Sequence, residues 1–275
     1  MTSGAPIAVQ PVPRGGMARL VGRRLTDWLP AAVVLVGAIG LWEGLIRALN
    51  VQAFLLPKPS SIATTFWDTR SELWSAGWFT FQEALGGFVL GSGLAIAVAL
   101  LLARWRILGT ALMPYAIAAN AIPIIAFAPI TNTWFSPLNK SSKITIAAVL
   151  CFFPVLVNTL RGLTSVNPRA LELMESYAAG QLEIFRRVRI PTALPFIFTG
   201  LKVATVLAMI GAVVGEYFGG ALNALGVLIL TRARIFQFNE AWAGIVVACL
   251  LGLALYIAVA LAERLALRWV PSTSE

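Results

Sequence analysis

The chain contains no histidine. That removes the side chain most often used near neutral pH as general base, proton shuttle and metal ligand. Charge is scarce as well: Asp, Glu, Lys and Arg make up 12% of 275 residues, where soluble domains carry about 25%. Cysteine occurs twice, at Cys151 and Cys249. Both lie inside apolar runs, which argues against a disulfide or thiolate-metal framework and predicts two small buried hydrophobes. No Gly-x4-Gly-Lys-Ser/Thr segment is present, so any nucleotide energy must be bound by a partner. Short segments alternating between apolar and polar residues, the mark of a transmembrane barrel, are missing too.

What the chain has in quantity is apolar surface: 59% of its residues are hydrophobic and the mean hydropathy is +0.82. A membrane-spanning helix needs about 20 apolar residues. Six stretches qualify, over 29–49, 80–103, 107–130, 143–163, 192–216 and 241–262. The expected fold is therefore an all-α integral membrane bundle of about six transmembrane helices. The first run follows Arg14, Arg19, Arg23 and Arg24, in the manner of a secretory signal. It is longer than a cleavable core of roughly 7 to 15 residues and is interrupted by Glu43, so it reads as an uncleaved span. The expected organisation is a basic, partly disordered tail over 1–27, then a first span and an extracytoplasmic segment over 28–79. A core over 80–267 follows, carrying a polar loop at 165–191, and a short tail covers 268–275.

Lys and Arg concentrate on cytoplasmic loops. With both termini in the cytoplasm, thirteen of the 21 basic residues fall on that side and seven on the other, leaving Lys202 inside a span. The net charge of +9 is thus a topology signal. Arginines divided among short loops form no continuous stripe for a duplex, and nucleic acid is not an expected partner.

Charged groups inside spans are functional candidates, because insertion there costs about 2.5 to 3.5 kcal/mol. Lys202 and Glu216 share the fifth span but stand fourteen residues apart, about 21 Å along one helix, so they cannot pair directly. Lys202 either snorkels or finds an interhelical partner, or else points into a pore. Glu216, before Gly219-Gly220, is either a gate residue or a satisfied carboxylate at the membrane interface. Asn120 lies among Pro114, Pro123 and Pro129, where kinks free backbone carbonyls that a water-filled cavity can satisfy. Gly86, Gly87, Gly91 and Gly93 offer small-residue spacing for close helix approach.

The loop from Ser165 to Arg189 is polar and arginine-rich between two apolar spans. Asn167-Pro168 is a helix start. Leu171, Met174 and Ala178 share one face, Gly180 permits a bend, and a second short helix over 181–189 sets Leu182, Phe185 and Val188 on one side. Ile190-Pro191 then opens the next span. Periodicity alone fits either a partner-docking surface or an amphipathic connector resting on headgroups and lipid.

These residues resemble the cytoplasmic coupling loop of binding-protein-dependent ABC importer permeases, whose pattern runs Glu-Ala-Ala, three residues, Gly, nine residues, Ile, one residue, Leu-Pro. Glu172 matches the Glu; Leu173 and Met174 stand at the alanines, Ala178 at the Gly, Val188 at the Ile, and Ile190-Pro191 at Leu-Pro. Leu56-Pro57-Lys58-Pro59-Ser60, the segment Ile190 to Pro195 with Gly200-Leu201-Lys202, and Gly215-Glu216 are similar to the nitrate, sulfonate and taurine branch. The resemblance covers roughly 55–267. It implies a type I importer bundle and a pore built by two permease subunits, here a homodimer. It also implies a cytoplasmic ATPase dimer docked on the coupling loops and an extracytoplasmic solute-binding protein. No cofactor is expected on this chain, ATP being bound by the partner. The implied solutes are sulfonates, taurine, nitrate or pyrimidine-type precursors. A self-contained ion-coupled carrier using Glu216 and Lys202 is the alternative.

Overall fold

The computed structural model describes residues 17–103, 106–119 and 123–268. Among them every regular element is helical. They are α1 (Met17–Ala48), α2 (Pro59–Asp68), α3 (Arg70–Ala103), α4 (Arg106–Ala119), α5 (Ala128–Phe135), α6 (Lys140–Thr164), α7 (Pro168–Ser176), α8 (Gln181–Ile184), α9 (Ile190–Tyr217), α10 (Leu225–Arg234) and α11 (Phe238–Ala266). Five of these helical stretches are long and apolar enough to cross a membrane: the apolar part of α1, then α3, α6, the stretch Gln181–Tyr217, and α11.

The span expected over 107–130 is not one helix. α4 stops at Ala119, a 3-10 turn covers Ile124–Phe127, and α5 begins at Ala128. Pro123 has no N–H to continue an α-helical ladder; instead its carbonyl accepts from the Ala126 N–H at 2.9 Å. Asn120, the pore candidate of this region, lies outside the described residues.

The chain divides into two compact units, Met1–Ser60 and Ser61–Glu275. In the first, Glu43 is bonded rather than stranded in its span. It accepts from the Ser60 N–H at 3.0 Å and the Ser60 hydroxyl at 2.8 Å, while Arg47, one helical turn on, pairs with it at 2.6 Å. The serine of the Leu56–Ser60 motif is thereby anchored to the helix before it.

In the second unit, α6 is the central post, packed most extensively against α9 and α3. The glycines explain how closely these helices approach. A Cβ on Gly91 would run into the Ala148 backbone of α6, one on Gly87 into Ala147, and one on Gly211 of α9 would sit 2.8 Å from the Ala147 Cα. Three helices therefore meet at Ala147, which is fully buried. Small residues let helices approach within van der Waals contact where lipid supplies no hydrophobic drive. Gly86 joins this contact through Ile144, whereas Gly93 meets nothing within 4 Å. The expected small-residue stripe is thus an intrachain seam carried by three of its four glycines. Cys151 is buried as expected, but Cys249 is exposed on α11.

Candidate functional site

Two places in the second unit hold chemistry, one at each end of α9. At the first, α7 begins where the Asn167 side chain accepts from the Arg169 N–H at 3.0 Å. The helix ends in a Schellman turn: the Ala179 N–H bonds the Met174 carbonyl at 3.0 Å and the Ala178 N–H bonds that of Glu175 at 2.9 Å. The left-handed residue is Ala178, with φ +52°. Gly180, expected to make the bend, is extended at φ −67°. The geometry explains why the resembled pattern has glycine at position 178: an L-residue with a Cβ is strained there.

The next step also departs from expectation. No new span opens at Ile190-Pro191. α8 passes through a π-helical stretch, Phe185–Arg189, directly into α9, giving one helical rod of 37 residues, about 55 Å long. The Ile190 N–H bonds the carbonyl of Phe185, five residues back, and this wider turn accommodates Pro191, which has no N–H of its own. The buried residue of the second helix is Ile184, while Leu182, expected on one side with Phe185 and Val188, is 71% exposed. Leu173 at 56% and Tyr177 at 75% are exposed as well; Leu171, Met174 and Val188 are half-buried, and Glu172 and Ala178 are exposed. The loop presents an uncovered apolar surface, flanked by Arg186 and by Arg187, which pairs with Glu183 at 3.2 Å.

At the far end the arrangement is closed. Glu216, in the last turn of α9, is 1% exposed. One carboxylate oxygen accepts from the Thr80 hydroxyl of α3 and the other from the Gly226 N–H, each at 2.6 Å. The Leu225 N–H in turn donates to the Thr80 oxygen at 2.9 Å. Leu225 and Gly226 open α10, so the carboxylate satisfies a free N–H of the first turn and faces the positive end of that helix. Only glycine fits at 226, where a Cβ would lie 2.6 Å from the Val213 carbonyl and 2.7 Å from Glu216. Glu83, one turn along α3, is buried beside the Glu216 carboxyl, and Lys143 of α6 is buried near them with its ammonium on the Pro137 carbonyl.

Lys202 finds an interhelical partner: it holds Glu263 of α11 at 2.8 and 3.0 Å. Lys202 and Glu216 are therefore separate, each with its own partners. Sequence reasoning missed Thr80, Glu83, Lys143 and Glu263. It also missed α10 and Arg232, which joins Glu72 of α3 at 3.1 Å and Glu240 of α11 at 3.0 Å. Glu83, a carboxylate within an apolar run, was the one available signal; the partners 136 and 145 residues away along the chain leave no local trace.

Five helical stretches apolar enough to cross a membrane, with an uncovered apolar loop at one end of α9 and a buried polar cluster at the other, make this a multi-pass membrane protein. The chain belongs to the family of binding-protein-dependent transport system inner membrane components, whose pattern it matches over residues 87–270. It is a multi-pass protein of the inner membrane, and its family is one of transport subunits. It is 34% identical over 246 residues to the riboflavin transport system permease protein of Chloroflexus aurantiacus, across 89% of this chain and 90% of that one. To the formylaminopyrimidine transport permease protein of Halalkalibacterium halodurans it is 35% identical over 237 residues, 83% and 91% of the two chains. A nitrate import permease protein of Leptolyngbya laminosa is 23% identical over 254 residues, 88% and 89%.

Proposed function

We propose that this chain is the pore-forming permease subunit of an ATP-driven ABC importer. It works as a pair of identical subunits with both termini cytoplasmic, and takes a small solute from an extracytoplasmic binding protein. The observation that carries this reading is the uncovered apolar surface of the 165–191 loop, Leu173, Tyr177 and Leu182, standing at the start of a helical rod. A groove on a soluble ATPase would receive these side chains as apolar anchors. Glu172 sets register against a basic residue of that groove.

Because α8 and α9 form one rod, displacement of the docked loop is carried along α9 as a rigid-body motion. The Lys202–Glu263 pair would pass part of it to α11, and the Glu216 knot would receive it at the far end. The named solutes of the similar proteins, riboflavin, a formylaminopyrimidine and nitrate, support a small organic or inorganic solute.

The test is co-purification in detergent of the tagged chain with its cognate ATPase and binding protein, native against a deletion of Leu171 to Ala178. The ATPase should accompany only the native chain, and the deleted chain should still insert in the membrane. Capture by both chains, or by neither, would contradict the assignment.

A further inference from the structure

A small cavity of about 130 Å³ lies where the 165–191 loop meets the bundle. Its walls come from the ends of α3 and α6 (Leu102, Leu163, Thr164), the start of the loop (Val166, Leu171) and Arg189 at the base of α9. We propose that this cavity binds the phosphate of a phospholipid headgroup, held by the Arg189 guanidinium. The partner is the membrane itself, and the site is separate from ATPase docking and from the transported solute.

Charge is the first argument. Of the arginines whose burial is described, two are half-buried, Arg189 and Arg232. Arg232 divides its guanidinium between Glu72 at 3.1 Å and Glu240 at 3.0 Å. Arg189 has no acidic partner among the described residues; the ion pair of its own stretch belongs to Arg187 and Glu183. A cation drawn partly out of water without a counter-charge is costly, so an anion from outside the chain completes it. The guanidinium fork matches the paired oxygens of a phosphate. Thr164, the other polar side chain of the lining, already donates to the Leu160 and Arg161 carbonyls at 2.9 and 3.1 Å, which leaves the binding to Arg189.

Size and position choose the anion. The volume is well below the roughly 300 Å³ at which small-molecule pockets begin, so a tetrahedral group fits and a nucleotide does not. α3 stops at Ala103 and α6 at Thr164, and both of these residues line the cavity. It therefore lies at the level where two membrane-crossing helices leave the hydrocarbon, which is the level of the headgroup phosphates; basic pockets between such helices bind them. The leucines of the wall suit the glycerol and first acyl carbons beside the phosphate. Arg189 is also the last residue of the π-helical stretch, a widened turn of a kind that recurs at functional sites. A phosphate on it would tie the loop and the rod to the ends of α3 and α6.

The test uses the full-length chain in detergent, offered phosphatidylglycerol, diacylglycerol with the same acyl chains, or inorganic phosphate, with bound molecules counted by native mass spectrometry. One phosphatidylglycerol should survive a delipidating wash on the native chain, diacylglycerol should not, and inorganic phosphate should neither bind nor displace the lipid. Arg189→Gln should retain the lipid about tenfold less. Val166→Trp, which fills the cavity and leaves the arginine in place, should lose it to the same degree, so the two variants break the site independently. Arg186→Gln, at an exposed arginine of the same stretch, should behave as the native chain. Equal retention by the native chain and by both site variants would overturn the proposal. So would an equal loss in Arg186→Gln, which would mean a diffuse charge effect, or retention of diacylglycerol as strong as that of phosphatidylglycerol. Displacement by inorganic phosphate would overturn the lipid as the source and give the cavity to a free anion. ATPase capture by the native chain, read separately, reports on the importer reading and not on this site.

Discussion

The two ends of α9 solve opposite problems. At Glu216 a buried carboxylate, the Thr80 hydroxyl and the two N–H groups that open α10 are bonded to one another within the chain. At the 165–191 loop, Leu173, Tyr177 and Leu182 stand in the open although each would gain by burial. One end is complete; the other is built to be completed. On the proposed importer reading the division is physically sensible, because a rigid far end gives the rod something to act against.

The largest effect should come from opening the closed end. Glu216→Ala leaves the Thr80 hydroxyl and the Gly226 N–H without their acceptor, next to the buried Lys143. Thermal unfolding in detergent should show a loss of about 3 to 5 kcal/mol, and Glu216→Gln a smaller loss, since an amide oxygen still accepts one of the two bonds. An unchanged midpoint for the alanine variant would mean that the end is not the self-contained knot described.

Leu182→Asp, alone or with Leu173→Asp, should do the reverse. Stability should stay within about 0.5 kcal/mol of native, as for exposed sites. ATPase capture should fall by roughly thirtyfold, the cost of about 2 kcal/mol at an interface anchor. Equal losses of stability and capture would erase the contrast between the ends.

Between the ends lies the Lys202–Glu263 pair, half-buried on both sides. Lys202→Met should cost about 1 kcal/mol, discounted for its partial exposure, and the double variant with Glu263→Gln should recover part of that loss, as a thermodynamic cycle would register. The smallest change sharpens the open end: Ala178→Gly relieves a left-handed alanine at φ +52° and should stabilise by about 0.5 kcal/mol, the relief of strain being offset by the greater freedom of glycine when unfolded.

Much of this architecture is legible in the sequence alone. Hydropathy locates the apolar cores of α1, α3, α6, α9 and α11, because the bilayer demands long uninterrupted apolar runs. Asn167-Pro168 marks the start of α7, since capping is a local event. The third expected span fails because hydropathy does not register the hydrogen bond a proline removes. Composition points to Gly180 for the bend although Ala178 makes it, as it names the residue best suited to a left-handed turn and not the one that occupies it. The Glu216 knot is illegible for a different reason: Thr80 and Glu216 are brought together only by the packing of α3, α6 and α9 around Ala147. Lys143 reads as a loop cation by its place near a span boundary, yet it is 1% exposed because α6 begins at Lys140 and carries it into the bundle.

The most direct test uses cysteine cross-linking in membranes that contain the cognate ATPase. One accessible thiol is placed at one end by Leu182→Cys or at the other by Leu222→Cys, each in a Cys249→Ser background in which the remaining Cys151 is buried. Both positions are exposed, so reactivity alone does not separate them. The account predicts a covalent adduct with the ATPase from position 182 and none from position 222. An adduct from position 222, or from neither, would contradict the claim that the 165–191 loop is the end built to receive the motor.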